Sequence, residues 1–228
     1  MKKMNEKKAD AAPLGLLGFG LTTILVSFVL NFRLTSFDSM LIGMGIFYGG
    51  LAQVIAGAME YKRGNTFGMV AFSSYGFFWL SFVALNWLGA TGVSNAGIWP
   101  FSVIAPSIVA AGSVYSNPWA VGHESIMAYF FMWGLFTLFM FVGTLKKNRA
   151  IQTVFGTLTV LFFLLATLQG ILAYSSVSTS DINLFTQIIG IEGMICGFSA
   201  FYLAMAHVLN EEYGKEVLPI GPVEKRAL

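Results

Sequence analysis

The chain has 228 residues, of which 56% are hydrophobic and 11% charged, with a formal net charge of +2 at pH 7. Soluble domains carry roughly 25% charged residues, so a large water-soluble domain is excluded. The apolar stretches are continuous and do not alternate, which points to membrane-spanning helices and away from a β-barrel.

In chain order, the basic start MKKMNEKK precedes an apolar run at 14–32. Such a pair could be a signal peptide, but the run is 19 residues long and no small-residue cleavage signal interrupts it, so it is taken as a first span. Further runs at about 39–60, 67–88, 124–145, 151–174 and 184–209 are each long enough to cross, a crossing needing about 20 residues. The expected organisation is an N-terminal tail at 1–13, a six-span transmembrane domain at 14–209 and a C-terminal tail at 210–228.

The connections carry a charge code. Lys2, Lys3, Lys7 and Lys8 precede the first span, Lys62 and Arg63 join the second to the third, Lys146, Lys147 and Arg149 join the fourth to the fifth, and Lys215, Lys225 and Arg226 follow the sixth. Only Arg33 falls on the other side. The positive-inside rule therefore puts both termini in the cytoplasm. Trp87, Trp99, Trp119 and Trp133 fall near the outer boundary as interfacial anchors, while Trp79 lies deeper. The long outer connection 89–123 has no Lys or Arg and contains IWPFSVIAPSIVAA. That apolar piece is only 14 residues long and is broken by Pro100 and Pro106. It suits a short helix on the outer surface better than a seventh crossing.

Polar and small residues recur at helical spacing. Gly15, Phe19, Thr23, Ser27 and Asn31 share one face of the first span, and Gly45, Gly49, Gln53 and Gly57 share one face of the second. Span three carries Ser74, Tyr75, Trp79 and Asn86, span five Thr153 and Thr157, and span six Glu192 and Ser199. The glycines can serve packing alone, and Ser or Thr can bond carbonyls of its own helix. The repetition of such stripes in several spans favours a polar path through the bundle. No Lys or Arg lies inside any span, so a dehydrated anion would find no ion-pair partner there. A small solute bonded by OH and NH groups fits, and so does a carboxylic acid travelling with its proton. Glu192 is the embedded acid and a candidate for proton coupling, with a protonated, helix-bonded acid as the equal alternative. Glu60, beside Lys62 and Arg63, is expected to form a boundary ion pair. His207 is taken as an interfacial histidine rather than a proton relay.

The sequence offers no catalytic set. Cys196 is the single cysteine, so no disulfide can form within the chain, and His123 and His207 are too far apart in sequence to suggest a metal site. GxxxxGK[ST], GxGxxG and GxSxG are absent from the sequence. No enzyme activity, cofactor, metal or nucleic-acid partner is expected.

APLGLLGFGLTT at 12–23, GIFYGGLAQVIAGAMEYKRGNTFG at 45–68 and SSYGFFW at 73–79 resemble the acetate uptake transporters, the YaaH-like acetate/succinate–proton permeases of bacteria, archaea and fungi. LFTLFMFVGTLK at 135–146, LTVLF at 158–162 and CGFSAFYLAMAHVLNEEYGKEVLPIG at 196–221 extend the resemblance over most of the chain. It implies a six-span protomer in the cell membrane, a homohexamer with one path per protomer, and passage of acetate and sometimes succinate. It also implies a narrow point at Phe19, Tyr75 and Leu158, and a size-influencing small residue at Ala200. Asp10 and Ala11 stand where the family's opening motif normally has Asn-Pro, and Glu192 stands where its members are apolar. The remaining path residues are expected to be Thr23, Ser27, Asn31, Gln53, Ser74, Trp79, Thr157 and Ser199.

The expected function is transport of acetate or another short carboxylate, coupled to protons, by a protein surrounded by lipid. A passive acetate or anion channel needs the same path, and a structural or sensory membrane protein is the alternative from another class.

Overall fold

A computed structural model describes residues 9–32, 39–91 and 122–223. The chain forms six long helices: α1 (Ala12–Phe32), α2 (Ser39–Lys62), α3 (Thr66–Thr91), α4 (His123–Thr144), α5 (Arg149–Tyr174) and α6 (Thr179–Glu212). Each is long and apolar enough to cross a membrane. A bilayer interior supplies no water to exposed N–H and C=O groups, so helices that satisfy their own backbone are the natural solution for such a sequence. The expected extra segment within 89–123 falls largely outside the described residues. So do Arg33, Trp99, Trp119, Lys2, Lys3, Lys7, Lys8, Lys225 and Arg226, and the Trp87 side chain.

Local signals fix the helix ends. Asp10 Oδ1 accepts the Ala12 N–H at 3.1 Å as α1 begins, and Pro13 sits in the first turn, where a missing N–H costs nothing. Asn148 caps α5 by accepting the Ile151 N–H at 2.9 Å. Ser178 caps α6, and Asp181 in its first turn suits the positive end of the helix dipole. At 34 residues, α6 is roughly 51 Å long, well beyond a hydrocarbon core of about 30 Å. The helix therefore extends past the apolar layer.

Residues 44–52 of α2 wind as a π-helix, which the sequence did not signal. The wider turn brings Gly50 onto the buried side with Gly45 and Gly49. Rings and side chains of α1 and α3 fill the space: a Cβ on Gly49 would lie 2.9 Å from Trp79 and 3.0 Å from Thr22.

α1 packs chiefly on α6, and the contact is made backbone to backbone. A Cβ on Gly20 would lie 2.9 Å from the Gly197 carbonyl oxygen, and one on Gly197 would lie 2.9 Å from that of Gly20. The small-residue stripes of these two spans therefore serve close approach. α2 packs on α3, α4 on α5, and α5 on α6.

The start of α1, the α2–α3 turn, the α4–α5 connection and the end of α6 meet at one end of the bundle. Asp10 touches both Arg63 and His207 there. The segment after α6 doubles back over the same end. The Arg149 N–H donates to the Gly221 carbonyl at 2.7 Å, and the Val223 N–H donates to that of Lys147 at 3.1 Å. Asn210 ties the turn by accepting the Val217 and Leu218 N–H groups at 2.6 and 2.9 Å. This strap fixes the position of Lys147 and Asn148 at the basic end.

Candidate functional site

Among the described residues, two cavities along the bundle concern the expected path. The first, about 320 Å³, is at the basic end, and its lining includes Asp10, Arg63, Lys147 and His207. The second, about 270 Å³, lies on the far side and is lined by Thr23, Ser27, Trp79, Asn86, Tyr129 and Gln169 among apolar residues. Phe19 and Leu158 line both cavities. Tyr75 lines the first, and its ring centroid is 6.0 Å from that of Phe19. All three side chains are buried. The three residues expected at a narrow point therefore converge from α1, α3 and α5 between two spaces.

The junction between the two cavities, the expected waist, is built from rings. Tyr75 packs against Trp133, Phe136 and Phe155 at centroid distances of 6.1, 5.5 and 6.1 Å. Phe78 and Phe162, 5.1 Å apart, continue the cluster into the second cavity. Trp133 was expected at the outer boundary as an anchor. Instead it lies mid-helix in α4, ten residues and so roughly 15 Å from its start at His123, against Phe78 and Tyr75. A count along the sequence alone could not show that α4 begins far enough ahead of it to set it among these rings.

One hydroxyl at the waist has a defined polarity. Thr137 is fully buried and donates its hydroxyl proton to the Trp133 carbonyl at 2.7 Å. Tyr75 lies 2.9 Å from the same Thr137 oxygen. The Thr137 proton is committed, so Tyr75 is the donor in this pair. The open valence of the Tyr75 oxygen is then a lone pair, an acceptor. Thr137 was not among the expected residues, although Tyr129, Trp133 and Thr137 follow one another at helical i+4 steps.

The other expected residues divide into two groups. Gln53, fully buried, lines the first cavity, and neither its Nε2 nor its Oε1 has a hydrogen-bond partner among the described residues. Thr23 Oγ1 and Trp79 Nε1, beside the second cavity, are also buried without partners among the described residues. Buried polar atoms in this state are costly unless something else completes them. Ser27 lines the second cavity too. The second group does not line either cavity. Thr157 donates to the Thr153 carbonyl at 2.8 Å and Ser199 to that of Cys196 at 2.7 Å, the helix-internal alternative. Ala200 is fully buried where α6 meets Gly20. Asn31 flanks Gly190, and Ser74 is half-buried on α3. Glu192 is half-buried, its Oε2 has no partner among the described residues, and it lines neither cavity.

At the basic end, Glu60 is buried and accepts from Arg63 at 3.0 Å and from Asn65 at 2.5 Å, the expected boundary pair. Lys147 lies over the Phe67 ring, 4.1 Å from its centroid. Burial lowers the Lys147 pKa. The bonds from His207 and Arg63 hold the Asp10 carboxyl well below the usual carboxylate range, against the opposing effect of burial. The same contact with Asp10 raises Arg63. For Asp10 the sign is that of a depressed acid: its contribution to stability is complete above the ordinary carboxylate value of 3.8 and is lost as pH falls below it.

Among the described residues, no group of three or more His, Cys, Asp and Glu side chains is placed to hold a metal ion. Comparisons with known proteins give a consistent assignment. The GPR1/FUN34/yaaH family model matches residues 1–223. The chain is 45% identical over 217 residues to the succinate-acetate/proton symporter SatP of Escherichia coli K12, covering 95% of this chain and 97% of that protein. It is 28% identical over 216 residues to acetate permease A of Emericella nidulans, covering 94% of this chain and 66% of that one. Among solved structures, that of the bacterial acetate channel SatP superposes with a TM-score of 0.71 at 43% identity, covering 94% of this chain and 100% of the other.

Proposed function

We propose that this chain, which belongs to the GPR1/FUN34/yaaH family, carries acetate and other short carboxylates such as succinate across the cell membrane, and that the carboxyl group crosses the waist with its proton. Relatives named for acetate or succinate support the substrate class. The observation that carries the proton is the hydroxyl chain at the waist. Tyr75 gives its proton to Thr137, so what it offers the path is an acceptor. A carboxylate has no proton to donate to it; a carboxylic acid has one. The unpartnered Gln53 amide agrees, because an amide pairs with an acid by one donated and one accepted bond. Rings and Leu158 surround the crossing point, where a bare anion would shed water with no cation to replace it.

Both termini and the basic cavity are placed in the cytoplasm, on the distribution of Lys and Arg. The protomer is taken as one of six in a homohexamer, each with its own path. Outward-facing apolar side chains such as Phe47 and Phe139, 68% and 76% exposed, suit contact with lipid or a neighbouring protomer.

A passive channel is the second reading, favoured by the similarity to a structure described as an acetate channel. Purified protein in proteoliposomes, given labelled acetate with and without an imposed pH gradient, separates the two. Accumulation above equilibrium driven by the proton gradient alone establishes coupling. Equilibration without accumulation, with pH and membrane potential controlled, establishes the channel, and impermeability under every gradient removes both.

A further inference from the structure

The basic cavity already holds a carboxylate that belongs to the protein. Asp10 lies just ahead of α1 and lines this cavity together with Arg63, Lys147 and His207. Its Oδ1 takes the Arg63 guanidinium, and its Oδ2 meets His207 Nδ1 at 3.0 Å. Glu60 holds the same Arg63 nitrogen from the other side at 3.0 Å. The Asp10, Arg63 and His207 side chains are 23%, 29% and 31% exposed. They are therefore neither sealed away nor freely solvated. A small carboxylate entering this space would meet donors whose geometry suits it, already engaged by an internal one.

We propose that the basic cavity is a carboxylate-binding station and that Asp10 is its tethered competitor, occupying Arg63 and His207 and so keeping affinity for the passing anion low. The proposal rests on the transport function in treating the cavity as a mouth of the path. Asp10 and the incoming carboxylate compete for one guanidinium and one imidazole. Being part of the chain, Asp10 is present at a high effective concentration, and a free carboxylate must displace it. Weak holding at a mouth favours passage, since a site that binds tightly releases slowly. Lys147 faces the same space from the α4–α5 connection, and its pKa is lowered by burial. Among the described residues no carboxylate is bonded to it, and Glu60 acts on it only through space, so it adds attraction at this mouth.

Asp10→Asn isolates the charge, because Asn retains the size and the ability to cap α1. Asp10→Ser, also a capping residue, is the second variant should the first fold poorly. Acetate labelled at the carboxyl carbon is titrated at pH 7 into purified full-length protein and followed by NMR, with thermal melts confirming the folded state. Both variants should bind acetate about tenfold more tightly than the parent, and Arg63→Gln added to Asp10→Asn should remove the gain. Unchanged affinity in folded Asp10→Asn or Asp10→Ser overturns the proposal. A gain that survives Arg63→Gln, or equal displacement of acetate by the same concentration of chloride, overturns the assigned carboxylate site. The same preparations are assayed for uptake in liposomes: absence of acetate uptake by the parent protein removes the transport function, while the titration still decides the role of Asp10.

Discussion

At the basic end, side chains are held by ions; at the waist they are held by rings. Asp10, Arg63 and His207 are each about a quarter to a third exposed. Exposed ion pairs of this kind contribute about 0–1 kcal/mol each, so the arrangement can exchange one carboxylate for another. Phe19, Tyr75 and Leu158 are buried. Tyr75 touches four aromatic neighbours, and each aromatic pair adds about 0.5–1.5 kcal/mol beyond area burial. In the proposed function the first region captures a charged solute, and the second selects by size and by protonation. A path needs both, because groups that attract an anion from water do not lower the cost of carrying it through a dry constriction.

The contrast breaks most visibly with pH. At fixed total acetate, initial uptake should rise by up to about tenfold for each unit that outside pH falls, since the protonated fraction of an acid with a pKa of about 4–5 changes by that factor above its pKa. Protein-free liposomes supply the control for diffusion of neutral acid. A rate that does not change with pH would mean that the waist passes the anion.

Size is the next test. Leu158→Ala should shift competition by longer acids relative to acetate by about tenfold, the effect expected of one or two methylenes in an apolar pocket. Phe19→Ala should act in the same direction. Each carries a folding cost of about 2–5 kcal/mol, so uptake is compared on matched amounts of folded protein. An identical size ranking in parent and variants moves the selective point elsewhere.

Thr137→Val keeps the shape but removes the acceptor that takes the Tyr75 proton. Tyr75 would then be free to donate into the path, and the preference for the protonated acid should weaken by about threefold, a fraction of one hydrogen bond's worth. The measured quantity is the ratio of uptake at low and high pH. A ratio equal to that of the parent would separate the hydroxyl chain from selection.

The smallest effect belongs to Glu192, which lines neither cavity. Glu192→Gln should change the uptake rate by no more than about twofold, the usual surface-like response of a residue outside the path. Loss of uptake in folded protein would make this acid part of the proton route after all.

Six apolar helices were legible in the sequence, because a span must be apolar for about 20 residues; the full length of α6, Thr179–Glu212 against an apolar run at about 184–209, was not, because its polar first and last turns carry no hydropathy signal. The stripe Phe19, Thr23 and Ser27 was legible too, since helical periodicity places i+4 neighbours on one face whatever the partner. Periodicity does not say what that face meets. It gave Thr157 and Ser199 the same standing as Gln53, yet their hydroxyls turn back to their own helices while the buried Gln53 amide stays open to a cavity. It could not move Trp133 from the boundary to the waist, nor assign a direction to the Tyr75 proton, which depends on Thr137 from another helix. The joining of Asp10 to His207, separated by 197 positions in the chain, likewise needed α1 laid against α6. Composition and period fix which segments enter the membrane and which face of each is polar; the pairing of faces is decided only when helices pack, because each buried polar atom must then find its partner on another segment or leave its valence to a ligand.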